Sequence, residues 1–434
     1  MSVNQGSPLL QLRTSVGPDF VKIHFVDRTE NIRQIHSDIS FTGAVKQNKK
    51  EGYVMKKRKW LPCLIMICLL SFFAGSTAVT VSAATPEASI GSKNYATVQK
   101  AVNAVKKGQT IKLKRNIKFA YVKNSRNVSF TLDLNKHTIA GNEVFVMSVN
   151  DIEDGCLVFS NGTVKIKNGT VEGGVYAAGR SNLTLTGVNV KKTIAVTSNA
   201  RVTLDRSRCG RRVESVRRTT KIFLKNSTIG QIKNAGWASI SNVTFPGSVV
   251  GGAVENSGKI ALKNCKVKGE IPGDLRNSGT MSVAGGSYGC VVNEKKGSLT
   301  IAGGTFKTVS QYQGNLIDVC KGSTARITAG AFTQSNKSWG YGVCVNGKLS
   351  VSGGTFRSYN NAPTFSVNDS GVLNFSKGTV RAYGANAVTV LSGRANLTGG
   401  TFYTKASEAI LCSASGICKK SNIKEINSKS NVSW

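Results

Sequence analysis

The chain has 434 residues, with 58 Lys and Arg against 22 Asp and Glu and a formal charge of +36. That balance favours polyanionic partners such as acidic polysaccharide, teichoic acid or nucleic acid, and argues against acidic metal sites. Only three His occur, two of them before Met55, so a nucleophile triad lacks its parts.

Residues 1–54 hold no sustained apolar period and no motif. They read as upstream sequence translated in frame, or as a disordered tail. Lys50-Glu51-Gly52 is encodable by a purine run resembling a ribosome-binding site, a short way before Met55. Met55-Lys56-Lys57-Arg58-Lys59 is basic, Leu61 to Ala74 is apolar, and Val81-Ser82-Ala83 is small. That order is a secretory signal peptide over 55–84, cut next to Ala84. The alternative is a membrane anchor, since Trp60 to Ala84 gives 25 residues, enough to cross a bilayer. Thr77, Thr80 and Ser82 weaken that alternative. Both readings place the remainder outside the cell, as a secreted or wall-associated protein.

Residues 85–434 keep 47 basic and 17 acidic side chains. Thr85 to Ser92 reads as a linker. In Tyr95 to Lys107, Val98, Ala101, Val102 and Val105 share one helical face. Lys106 and Lys107 suit the negative end of that helix, and Gly108 its stop. Thr110 to Leu113 and Val128 to Leu134 read as strands. An N-terminal cap is therefore expected over 85–150, its helix covering strand edges that a solenoid otherwise exposes.

A repeated phrase then fills residues 151–415: apolar, any, small or polar, small, polar, apolar. Ile301-Ala302-Gly303-Gly304-Thr305-Phe306 and Leu397-Thr398-Gly399-Gly400-Thr401-Phe402 are clear copies. The last apolar residue falls at Val171, Val190, Cys209, Ile229, Phe245, Val267, Tyr288, Phe306, Phe332, Phe356, Val380 and Phe402, at gaps averaging 21 residues. A fixed period of this size marks a solenoid. Each unit reads as strand, Asn/Gly turn, strand, Gly-rich bend, strand; Asn256-Ser257-Gly258 and Asn277-Ser278-Gly279 are such turns. Gly and Asn are expected there for their tolerance of positive φ. The fold class is thus all-β, a parallel β-helix of about 12 coils. Leucine-rich repeats lack their leucine–Asn pattern here, and propeller blades are longer. The Phe column at 306, 332, 356 and 402 is expected to stack in the core. Residues 416–434 read as a polar tail or cap.

Of ten Cys, Cys63 and Cys68 lie in the signal segment, and no C-x-x-C pair suggests a zinc ribbon. Most of the others read as small apolar core residues. Cys412 and Cys418 flank a short turn and are candidates for a bridge across it.

These units resemble the right-handed parallel β-helices of the pectin-lyase-like superfamily, which implies a single-stranded right-handed parallel β-helix. Tyr95-Ala96-Thr97-Val98-Gln99-Lys100-Ala101-Val102, Gln109 to Leu113 and Leu132-Asp133-Leu134-Asn135 resemble the N-terminal cap of its secreted Gram-positive members. The resemblance spans about residues 90–415. It implies the fold but spreads over lyases, hydrolases, adhesins and binding proteins.

Pectate lyases of that superfamily use calcium on clustered carboxylates and Arg or Lys as base. The one tight acidic cluster here is Asp151, Glu153 and Asp154, a weak calcium candidate against a solvated polar turn. The galacturonan hydrolases carry Asn-Thr-Asp, Asp-Asp and Gly-His-Gly segments, none of which occurs. Asp205, Asp274, Asp318 and Asp369 are solitary, whereas glycoside hydrolysis needs paired carboxylates. His137 reads as a turn residue. Catalytic residues are unassigned and the balance leans against an enzyme.

The strongest charge feature runs from Arg201 to Lys221. Arg201, Arg206, Arg208, Arg211, Arg212, Arg217, Arg218 and Lys221 are candidates for a polyanion site, beside the plainer reading of a solvated basic loop. Arg211 to Thr220 interrupts the repeat and is expected to protrude. Nucleic acid is disfavoured, because no aromatics interleave the run. Tyr312, Trp339, Tyr341, Tyr359 and Tyr383 are candidate sugar platforms, or scattered surface aromatics. The leading expectation is non-catalytic polysaccharide binding or adhesion along a basic face. The alternatives are a polysaccharide lyase on an acidic glycan and an envelope spacer without a specific ligand. A membrane is a partner only if 60–84 stays uncleaved, and oligomeric state is open.

Overall fold

The computed structural model describes the backbone of Gln11–Gly17 and Phe20–Val26, and residues 85–141, 156–247, 252–268, 275–308, 314–335, 339–406 and 408–428. The chain divides into two units, Met1–Thr80 and Val81–Trp434. In the first, Gln11–Gly17 and Phe20–Val26 form an antiparallel hairpin, with Gln11 opposite Val26. The tail reading contained no such pairing; the β-branched and aromatic residues of Phe20–Val26 favour it.

The second unit is a right-handed parallel β-solenoid of about 13 turns. Each coil contributes to three sheets. Val254–Asn256, Leu275–Asn277, Val291–Asn293 and Ile317–Val319 stack in the first. Lys259 to Lys263, Thr280 to Ala284 and Ser298 to Ile301 stack in the second. Thr305-Phe306, Ala331-Phe332 and Thr355–Ser358 stack in the third. Alternation along each strand sends one residue in and the next out. Lys259–Val267 shows it, with Ile260, Leu262 and Cys265 buried between exposed neighbours. At roughly 4.8 Å per coil, the rod is about 60 Å long.

The lumen is one continuous core. Tyr288, Phe306, Phe332 and Phe356 stack at centroid distances of 5.1, 5.0 and 4.5 Å. The expected column holds to Phe356. Val380 fills the next coil, and Phe402 instead meets Phe375, from the second sheet, at 5.0 Å. Cys156, Cys209, Cys265, Cys290 and Cys344 are buried free thiols and Cys320 is half-buried. Burial pushes Cys156 and Cys209 up to about 12, so they stay protonated.

The two kinds of turn differ, which corrects the single explanation expected for them. Between the second and third sheets the chain enters the left-handed region, at Asn168 (φ 60°), Gly187 (61°), Asn226 (50°), Asn242 (53°) and Asn264 (50°). Between the first and second sheets, Gly258 and Gly279 are absent from the positive-φ residues. Their requirement is space: a Cβ on Gly279 would stand 2.1 Å from the carbonyl oxygen of Gly258. The Asn beside each is an inward hydrogen-bonding residue. Asn234, Asn256, Asn277 and Asn293 are all buried in one column.

The expected helix is shorter than 95–107. It runs Val98–Ala104, because the Thr97 side chain accepts from the Lys100 amide and Val105 takes extended backbone. Lys106 and Lys107 lie beyond it. Val98, Ala101 and Val102 are its buried face. Part of the expected linker is a strand, Ala88–Ile90, antiparallel to Lys93–Tyr95 and Thr110–Leu113. At the other end the coil pattern continues through Ile410–Cys412, Ile417–Lys420 and Ile423–Asn427, beyond the expected boundary at 415. Cys412 and Cys418 are disulfide-bonded.

Candidate functional site

The run from Arg201 to Lys221 is one coil long, so the helix spreads its cations around the circumference. Arg201 opens the second-sheet strand Arg201–Asp205, directly opposite Lys221 of the next coil. Arg206 occupies the bend at φ 47°. Arg208 starts the third-sheet strand and lies opposite Thr228. Arg211 and Arg212 follow, around a register shift between Cys209 and Arg212. Arg212 Nη2 pairs with Glu214 Oε2 at 2.8 Å. Arg217 and Arg218 sit in the turn leading to Lys221–Lys225. The expected protruding loop is therefore corrected: Arg208–Ser215 is a paired strand, and only residues 216–220 turn. The bulge after Cys209 is what broke the sequence pattern.

Two patches bring chemistry together, and sequence reasoning named only part of each. The first lies on the outer face of the second sheet. Arg201 Cζ stands 3.9 Å from the centre of the Phe223 ring. Phe223 and Trp237 rings are 5.0 Å apart and tilted by 55°. Lys221, Trp237 and Lys259 follow one another in a single outward column. Lys221, Lys225, Lys259 and Lys263 are exposed around the aromatic pair. Phe223, Trp237 and Lys259 were missed because their aromatic spacing spans coils. The signal available was that Phe223 and Trp237 stand at outward strand positions.

This face runs into a groove of about 930 Å³ along the bend, lined among others by Asp133, Asn168, Asn189, Arg206, Arg208 and Asn226. Asp133 in its lining and Asp205, next to the lining residue Arg206, are both held by cations. Asp133 Oδ2 meets Lys167 Nζ at 3.1 Å, and Asp205 Oδ2 meets Lys225 Nζ at 3.5 Å and Arg206 Nε at 3.6 Å. Burial alone would raise Asp133, but the Asn135 amide and Lys167 outweigh it and hold the carboxyl below its ordinary value. The pair stands three coils apart, roughly 14 Å, too far to flank one glycosidic bond.

The second patch is on the third sheet. Tyr359 and Tyr383 stack at 4.4 Å, Arg381 Cζ lies 4.7 Å from the Tyr403 ring, and Lys405 Nζ lies 5.7 Å from the Tyr383 ring. Tyr359 and Tyr383 were expected platforms; Arg357, Arg381, Tyr403 and Lys405 were not. Trp339, 74% exposed, and half-buried Tyr341 stand at the approach to a first-sheet strand, outside this stack. Tyr312 and the acidic trio Asp151, Glu153 and Asp154 lie outside the described residues. Asp318 is half-buried on the first sheet; burial raises its carboxyl, against a hydrogen bond from Asn315. Among the described residues no three His, Cys, Asp or Glu side chains converge as a metal site.

Comparison with family models, curated proteins and solved structures finds no match to this chain.

Proposed function

We propose that this chain is a secreted or cell-surface solenoid, of the pectin-lyase-like kind and Gram-positive origin, that binds an acidic polysaccharide without transforming it. The observation that carries the reading is the Arg201–Phe223–Trp237 stack within a ring of exposed lysines. Arg201 and Lys221 are like charges placed directly opposite each other, an arrangement that costs stability unless an anion relieves it. Guanidinium and ammonium groups take the carboxylates of the polymer. The rings take the apolar faces of its sugars, burying apolar surface from water. The bend groove, with Arg206 and Arg208, continues the same face. The reading uses the strand geometry and needs no reacting group.

The test is retention of the full chain on immobilised polygalacturonate at rising salt, while ultraviolet absorbance follows unsaturated product. Retention that falls with salt, weakens about tenfold or more in Arg201→Ala with Lys221→Ala, and yields no product supports the reading. Product formation makes the protein a lyase. No retention leaves a spacer whose charge suits an anionic wall.

A further inference from the structure

We propose that Arg357, Tyr359, Arg381, Tyr383, Tyr403 and Lys405 form a second site, on the third sheet, for a uronate residue of an acidic polysaccharide. One rod would then hold polymer at two places and cross-link it. The ligand class rests on the reading above; the site itself rests on separate residues.

Strand register builds the patch. Arg357 pairs with Arg381, and Arg381 with Tyr403, across successive coils. Phe356 and Ser358 point into the core on either side of Arg357, so Arg357 and Tyr359 point outward together. The next coils repeat this with Arg381 beside Tyr383 and Tyr403 beside Lys405. The result is a grid spaced about 4.8 Å between coils and about 6.6 Å along the strand.

Two features of that grid point to an anionic ligand. Arg357 and Arg381 are like charges directly opposite each other, an unfavourable pairing. No carboxylate pairs with Arg357 among the described residues. Arg381 is fixed in direction by its place over the Tyr403 ring. A carboxylate between the two guanidiniums relieves the repulsion with charge-assisted hydrogen bonds. The stacked tyrosines supply the second requirement, a flat apolar edge beside polar hydroxyls. Burial pushes the Tyr383 phenol up, and its hydrogen bond with Tyr359 acts the same way against the two arginines. It therefore stays a neutral O–H donor at physiological pH.

The Phe223–Trp237 patch is several coils away and on another sheet, so a short oligomer meets one patch at a time. A polymer engaging both gains avidity without new contacts.

The experiment is titration calorimetry of the full chain with an oligogalacturonate too short to bridge two sheets. Two equivalents should bind the intact chain. One should remain after Arg357→Ala with Tyr383→Ala, and one after Arg201→Ala with Trp237→Ala. If the double variant fails to fold, Arg357→Ala alone decides, because its side chain is exposed. It should weaken one of two sites about tenfold and leave the other unchanged. One equivalent in the intact chain, unaffected by Arg357→Ala, overturns the second site and spares the first. One equivalent lost only with Arg357 keeps this site and overturns the first. No binding overturns both.

Discussion

Asn256 Nδ2 donates to Oδ1 of Asn277 at 2.8 Å, one coil along, and Asn277 Nδ2 repeats the bond to Asn293 Oδ1 at 2.8 Å. Asn234 joins from the other side at 2.8 Å, and Ser215 Oγ donates to its Oδ1 at 3.1 Å. Each Asn256 and Asn277 amide also donates to turn carbonyls, Gly258 and Thr280 for the first, Gly279 and Ser298 for the second. The ladder thus ties five coils together and satisfies the backbone at each turn. In later coils the same column holds Val319, Val345 and Val367, and these are apolar and buried.

Asn277→Ala leaves the buried Asn293 Oδ1 without its donor and removes one partner each from the Asn256 amide and the Gly279 and Ser298 carbonyls. A cost of about 3 kcal/mol is expected from losing partners to buried polar groups. The urea midpoint should drop accordingly, with hydrogen exchange rising first around Asn256 to Ser298. An unchanged midpoint would mean water replaces the ladder.

Arg206 holds φ 47° where neighbouring coils place Asn168, Gly187, Asn226 and Asn242. Left-handed backbone penalises a long side chain and suits Asn. Arg206→Asn should stabilise the rod by about 1 kcal/mol while reducing retention on polygalacturonate. Stabilisation without loss of retention would remove Arg206 from the binding face.

Two carboxyls act oppositely on the acid limb of stability. Asp133 is lowered, so its contribution is present above the unfolded value and is lost as pH falls through the folded one. Asp133→Asn should be less stable than the parent at pH 7, the gap closing at acid pH. Asp318 is raised, so stability is lost as pH rises from the unfolded to the folded value. Asp318→Asn keeps an acceptor for Asn315 and should be more stable than the parent at pH 7. Urea midpoints across pH read both signs; the reverse order would refute the assignments.

The last described coil changes its inward residues. Where Leu397 and Phe402 fill the lumen of the preceding coil, Lys420 and Glu425 stand in register and pair at 3.0 Å. The Cys412–Cys418 bridge closes a short loop beside them. By loop-closure entropy, reduction should cost this coil about 2 kcal/mol. Hydrogen exchange should rise over 410–427 and stay unchanged over 343–382, since a solenoid coil contacts only its neighbours and the coil at 388–404 lies between. A global loss of protection would show that the coil holds the rod as a whole.

The repeat in residues 171–402 determined the solenoid, its three strands per coil and the stacked Phe306, Phe332 and Phe356. Those features recur locally, at a fixed period, so one chain shows them. The Asn turns were visible too, but not their ladder, because the bonds from Asn256 to Asn277 cross coils. The charge run was legible as composition and misleading as a patch: a stretch as long as one coil must wrap around it. Only the tertiary structure set Arg201 over Phe223 and Arg357 against Arg381. Neighbours on a solenoid face are about 21 residues apart in sequence. Small changes of coil length, such as the bulge after Cys209, shift which residues meet, and only the folded register fixes that.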